Sequence, residues 1–386
     1  MFLSFPKRQI SLVGSGAAAI MFILPSFAMA AETRVSATAT AGVSASNNPF
    51  LSTQNHAAAM LAELSLHPVL TNKTETTAVE LSGTLGHRRY SNDYGSYVFG
   101  SGLLSGSSRQ NERLSLRGAL HYRQEVSTDT VEDVSGAIDP DSVRRSFGAS
   151  GTAAWQISEL SSLTPSFNAE RVSYDRTDEL TRYDRLGGAL GYNRRLSPYT
   201  SVGIGAGVTL FKFRDTPDTD IQFAEATVDH KFSEVLAIEG SLGAQRVTFT
   251  EFDGIELERK AKLLLQGDVQ FCRRGAATNI CLTGAVSSEP SGLGSIERRY
   301  SSGLSYGLRL AEFSNISIAA NYQRSSGLSL LGNEPIEYLQ ASASFDRRIT
   351  KALTFDTFLR YRHRAGIETA GSAQAGVNLR LMVGRN

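Results

Sequence analysis

What most constrains this chain is a period of two that recurs from Arg34 to the C-terminus. Segments of about ten to sixteen residues alternate apolar and polar side chains, with turn residues between them, the pattern of β-strands that present two unlike faces. Between Arg113 and Arg123, Leu114, Leu116, Gly118, Leu120 and Tyr122 fall on one side, and Arg113, Ser115, Arg117, His121 and Arg123 on the other. Between Thr76 and Tyr90, Val79, Leu81, Gly83 and Leu85 oppose Glu80, Ser82, Thr84 and Arg88. Beyond residue 30 no apolar run approaches the ~20 residues that a membrane helix needs. If the mature chain enters a bilayer, it does so on strands.

The alternation places strands over residues 34–46, 57–66, 76–90, 94–105, 113–123, 143–157, 163–174, 180–194 and 200–213. Further strands follow over 221–232, 235–250, 258–272, 279–287, 296–310, 314–324, 336–348 and 353–364, with a closing strand at the C-terminus. That makes eighteen, an even number, as a barrel with both termini on one side requires. Sixteen remains open if 94–105 is loop and one other segment is misread. Short links (158–162, 195–199, 233–234, 311–313, 349–351) alternate with longer polar ones (124–142, 215–220, 288–295, 325–335), as periplasmic turns alternate with extracellular loops. No linker or compositional break divides the chain.

A soluble β protein would bury one face of each sheet in a large apolar core. Here the second face is Ser, Gly, Gln, Arg and Asp on nearly every strand, and only 41% of residues are hydrophobic. A propeller's blade repeat of about 40–45 residues is missing as well. The expected fold is a single all-β, up-and-down transmembrane antiparallel barrel. The formal net charge of +1 excludes a global pull toward nucleic acid.

Both ends carry address signals. Lys7 and Arg8, the apolar stretch Ile10–Leu24 and Ala28-Met29-Ala30 form a Sec signal peptide, with cleavage expected between Ala30 and Ala31. Residues 1–30 are then the leader and 31–386 the barrel; no lipobox cysteine suggests a lipid anchor. At the other end, Gln374, Gly376, Leu379 and Leu381 resemble the C-terminal signal of bacterial outer-membrane β-barrels. That resemblance implies recognition by the barrel-assembly machinery and residence in the outer membrane of a Gram-negative bacterium. The terminal Phe common in that family is missing, and the chain runs on through Gly384-Arg385-Asn386.

The two faces carry different chemistry. Tyr90, Tyr122, Tyr192, Phe232, Phe271, Tyr300, Tyr322 and Tyr361 lie near strand ends, as interfacial girdles require. The inward face carries Arg88, Arg113, Arg117, Arg123, Arg299, Arg309, Arg360, Arg362 and Arg380, with Glu80, Glu225, Glu239, Asp268, Glu297, Asp346 and Asp356 among them. Singly, such charges pair across strands and stabilise the wall. Together they line a wide, hydrated channel suited to sugar-like or anionic solutes. Cys272 and Cys281 are the only cysteines, face inward at the ends of adjacent strands, and in an oxidising periplasm are expected to form a disulfide. The six histidines do not cluster, and no G-x-S-x-G or H-E-x-x-H motif occurs, so no enzyme, metal or cofactor site is expected.

Only Ala31, Glu32 and Thr33 lie between the expected cleavage point and Arg34, leaving no room for a plug or periplasmic domain. A passive conduit is the expectation. The stretch ETRVSATATAGVSASNNPFL, most specifically Ala37–Leu51, resembles proteobacterial outer-membrane β-barrel proteins associated with exopolysaccharide biosynthesis and export. The resemblance implies passage of a polysaccharide substrate, with a periplasmic polysaccharide-export protein as partner. A diffusive porin for small hydrophilic solutes is the alternative, and a noncatalytic surface adhesin a third reading.

Overall fold

In the computed structural model the described residues are 32–52, 57–126, 142–175, 181–252, 257–291, 295–327, 335–366 and 369–384. The expected leader, with Ala30 and Ala31 of its expected cleavage point, lies outside them. Eighteen strands follow one another: β1 (Glu32–Ser46), β2 (Ala59–Lys73), β3 (Thr77–Tyr90), β4 (Ser96–Arg109), β5 (Leu114–Val126) and β6 (Val143–Ser158). Then come β7 (Ser161–Tyr174), β8 (Tyr183–Ser197), β9 (Thr200–Phe213), β10 (Thr219–Lys231), β11 (Leu236–Phe252) and β12 (Leu257–Arg274). The last six are β13 (Thr278–Pro290), β14 (Ile296–Ala311), β15 (Ser314–Gly327), β16 (Ile336–Arg348), β17 (Leu353–Ala365) and β18 (Ala370–Gly384). A single 3-10 turn, Asn92–Tyr94, joins β3 to β4.

Every strand pairs antiparallel with its sequence neighbours, and β18 also pairs with β1, from Ser36↔Gly384 to Ser46↔Gln374. The sheet therefore closes into one barrel without a free lateral edge strand. The sixteen-strand count falls, because residues 96–109 are a full strand bonded to both neighbours.

One boundary shifts beside a proline. The sequence reading ends the second strand at Leu66, yet β2 continues through Pro68 to Lys73. The β1 ladder runs unbroken past Pro68, whereas the rungs from His67 and Pro68 to β3 are missing. A ring without an N–H costs one ladder and leaves the other intact.

Alternation sorts the side chains in or out. Outward stand Leu64 (63% exposed), Leu242 (67%), Leu263 (77%) and Leu359 (63%), with Val377, Leu379 and Leu381 of the closing strand. So many exposed large aliphatics would be insupportable in water and are expected against acyl chains. Outward aromatics form two rings. Tyr122, Phe147, Tyr300, Tyr322 and Tyr361 ring the end bearing the long loops, and Trp155, Tyr192 and Phe271 the end bearing the short turns. Phe232, placed by the sequence in a strand, sits exposed on the β10–β11 turn at that lower rim. Tyr90 departs from the expected girdle. It faces inward, because its rung partner Leu61 shares the face of Glu63 and Arg88. An even-stranded, single-chain barrel with an apolar belt and aromatic rims belongs in the outer membrane of a Gram-negative bacterium.

Cys272 and Cys281 are opposite rungs of β12 and β13 and form a disulfide. It closes a short loop on the turn side of the seam. Cys272→Ser/Cys281→Ser is expected to lower stability by about 2–3 kcal/mol in urea titrations of the detergent-solubilised protein. An unchanged midpoint would mean that the ladder alone holds this seam.

Candidate functional site

The candidate site is the barrel interior, and it differs between its two ends. Toward the short turns it is wet and charged. Arg117 of β5 stands exposed there on the inner face, whereas Arg123, also exposed and inward, sits nearer the long-loop end of β5, 3.8 Å from Glu125. Arg380 lies 3.6 Å from Asp356, whose other oxygen accepts a bond from Asn378 Nδ2 at 2.5 Å. Nearer the long-loop end, Arg88 donates to Glu63 at 2.7 Å and lies over the Phe99 ring. That ring occupies the space a side chain at Gly86 would need. These pairs fit the cross-strand reading of the charges as well as the channel reading.

The charges are not evenly spread. On β10–β12, Glu225, Asp229, Glu239 and Asp268 line a cavity of about 350 Å³ with Thr227 and Ser241, and neither Arg nor Lys contributes to its wall. Asp229 and Glu239 are opposite rungs, two carboxylates on one face. Gln266 Nε2 donates to Glu225 at 3.1 Å and Ser241 Oγ donates to Asp268. Six strands round the ring in either direction stand β17, with Arg360 on its inner face, and β5, with Arg117 and Arg123. The lumen thus carries an acidic arc flanked by basic ones.

Toward the long loops the interior is filled rather than open, which departs from the wide channel expected from strand number. Inward Val172, Tyr183, Phe211, Phe213, Ile221, Val247 and Phe249 form a cluster with exposures of 0–8%. Inward side chains of an empty pore would be wet; these are packed. A second plug comes from the β1–β2 connection, which folds back into the mouth over Asn47–Ser52. Phe50 is 2% exposed, with ring centroids of Tyr90, Tyr94 and Tyr97 at 4.9, 5.1 and 5.9 Å. Leu51 is fully buried against Tyr338 and Ala370 and adopts a left-handed backbone, φ 52°. Arg362 Nη2 donates to Pro49 O at 2.7 Å, and Asn48 bonds Ser52 through both side-chain atoms. Burial of a ring among three others repays the strained turn.

Placement of the expected residues follows from this. Arg88, Arg117, Arg123, Arg360 and Arg380 face the wet lumen, as do Asp356, Glu80, Glu225, Glu239, Asp268 and Asp346. Arg309 faces inward at the turn rim, where its backbone N–H bonds Ala277 O. Arg113 is corrected: β5 begins at Leu114, so Arg113 lies exposed on the β4–β5 turn. Arg362 and Glu297 are also corrected from lining to packing, at 7% and 3% exposure, because the filled outer end covers them. Asp229 was missed, though its alternation with Glu225 marks it in the sequence; Arg364, also inward by alternation, is packed like Arg362 at 6% exposure.

No protein-family model and no curated protein matches the chain. Among solved structures, the chain is similar to Pseudomonas aeruginosa OccK8 (OprE), with 9% identity, 92% of this chain and 99% of that one covered, and TM-score 0.47. It is similar also to Acinetobacter baumannii OccAB2, with 10% identity, 92% and 98% covered, and TM-score 0.47. A third is Pseudomonas aeruginosa OccK2 (OpdF) in complex with glucuronate, with 10% identity, 91% and 98% covered, and TM-score 0.47. Likeness this low specifies no substrate, so the functional reading rests on the lumen's own geometry.

Proposed function

We propose that this chain is a passive, noncatalytic outer-membrane channel for small hydrophilic solutes, sugar-like or anionic, closed at its outer end in the state described. The observation that carries the reading is the ring of eighteen paired strands around a polar lumen of two signs, narrowed by its own packed mouth. A lumen charged on facing arcs orients a small polar solute as it passes.

Polymer export gains less support. The stretch behind that expectation, Ala37–Leu51, has a structural account that needs no polysaccharide. Ala37, Ala39, Ala41 and Val43 are the outward rungs between β18 and β2, and Asn48–Leu51 pack the mouth. A periplasmic polysaccharide-export partner is therefore not part of the proposal. Surface adhesion gains none either, since residues 127–141 of the one long loop lie outside the described residues and β5 takes up Gln124–Val126.

Single-channel recording in planar bilayers tests the reading, with reversal potentials measured across a salt gradient. Asp229→Asn/Glu239→Gln is expected to raise anion over cation permeability by a factor of about two to five, equivalent to on the order of 0.5–1 kcal/mol in a wet lumen. Small sugars and sugar acids are expected to pass in liposome-swelling assays. Absence of conductance under every voltage and salt condition would sink the channel reading.

A further inference from the structure

The seam between β12 and β13 is the weakest in the barrel wall, and its outer half is open. β11 and β12 share seventeen rungs, Leu236↔Arg273 to Phe252↔Leu257, but β12 and β13 share eight, Gly267↔Val286 to Arg274↔Asn279. Beyond Gly267, the ten residues Leu257–Gln266 of β12 have no rung to β13, while β13 and β14 stay paired with each other up to Pro290↔Ile296.

Side-chain contacts say where the freed β13–β14 end goes. By alternation with Tyr300 and Leu304, Ile296 and Arg298 belong to the outward face of β14, and Ser288, opposite Arg298, to that of β13. All three are nonetheless buried, at 4%, 8% and 7%. Ile296 packs in the interior cluster with Val172, Phe211 and Val247, and Leu264 of β12 lies against it. The inward Gln245 of β11 donates Nε2 to Ser288 Oγ at 2.6 Å, and Arg298 Nη2 donates to Leu265 O on the unpaired part of β12. The lipid side of β12 stays bare there, with Leu263 and Leu265 at 77% and 69% exposure. The outer face of the β13–β14 end therefore lies on the inner face of β11–β12: this end has left the wall and entered the lumen.

We propose that the β13–β14 end, residues 287–290 and 296–299, is a displaceable internal plug, and that the vacated edge of β12 is the site to which it returns. The idea rests on the channel reading above. Continuing the observed register by four rungs pairs Gln266 with Ser287, Leu265 with Ser288, Leu264 with Glu289 and Leu263 with Pro290. That movement swaps one set of satisfied groups for another. Ladder bonds along β12 replace the Arg298 and Gln245 contacts, and Ile296 moves from the apolar cluster to the lipid face. Arg298 rises beside Tyr300, over whose ring its guanidinium already sits at 5.6 Å, to headgroup level where cations are tolerated. An unpaired strand edge beside lipid is unfavourable, so the wall supplies a drive to rezip, opposed by burial in the cluster. The Cys272–Cys281 bond ties the two strands on the turn side of the split and makes the eight-rung base a fixed hinge.

Two engineered bonds sharing Ser288→Cys test this in the full-length protein, with pairing verified by peptide mass spectrometry and the native disulfide intact. Gln245→Cys/Ser288→Cys locks the plug inside; Leu265→Cys/Ser288→Cys forms only when the end has swung out and rezipped. The expected result is formation of both bonds, with single-channel conductance at least about tenfold higher for the 265–288 form. Equal conductance of the two forms overturns the plug while leaving the channel reading standing. Failure of the 265–288 bond to form while 245–288 forms fully shows a static packing element and overturns the movement. Failure of the 245–288 bond overturns the inward placement. Lack of conductance in both forms and in the parent counts against the channel itself.

Discussion

Phe50→Ala is expected to open the mouth and raise the conductance of the resting channel severalfold, while leaving the barrel assembled. The ring is 2% exposed and surrounded by Tyr90, Tyr94 and Tyr97, so truncation removes the contact that holds residues 47–52 in the lumen. Deleting a buried Phe costs about 3–5 kcal/mol. Here the loss falls on one loop, because the ladders of β1 with β2 and β18 do not depend on the ring. Asn47 stays bonded to Ala373, but Arg362 to Pro49 O and Leu51 against Tyr338 and Ala370 are then too few to keep the tip docked. Heat-modifiability on gels would report an intact barrel, and planar-bilayer recording the opened mouth. Unchanged conductance with an intact barrel would mean that residues 47–52 do not limit the path.

Leu359→Arg is expected to destabilise the folded barrel by about 2–4 kcal/mol in lipid, the cost of placing a cation at mid-height on the acyl face. Leu359 is the central residue of β17, is 63% exposed, and has only Ala343 and Ala375 as rung partners, so no neighbouring side chain can shelter a guanidinium. The neighbouring Arg360→Leu supplies the contrast. Arg360 faces the lumen, and its removal is expected to change stability by less than about 1 kcal/mol while altering ion selectivity. Denaturant titration in liposomes compares the two. Equal effects would mean that the faces of β17 have been assigned the wrong way round.

Much of this fold was legible in order and sign. Along β3, β5 and β18 the alternation assigned the faces directly, since a strand has only two and a bilayer demands that one be apolar. The Cys272–Cys281 pairing was legible for the same reason, two inward cysteines flanking one turn. Errors fell where a single residue carried two meanings. The sequence reading ends the second strand at Leu66, yet it runs on through Pro68, because one ladder can spare the donor that the ring lacks. Tyr90 looked like a girdle residue because it lies at a strand end, although its parity with Arg88 already turned it inward.

What the sequence determined by itself was local and periodic: eighteen strands, their faces, and a polar inner wall. Only the tertiary structure decided what fills that wall. Burial of Phe50 and Leu51, and the tuck of Ile296 and Arg298 behind β11–β12, join segments far apart in the chain. Ile296 and Arg298 keep the parity of lipid-facing residues after their strand end has left the wall. Periodicity records which side of a strand a residue occupies; it does not record which space that side meets once the strand departs from the barrel.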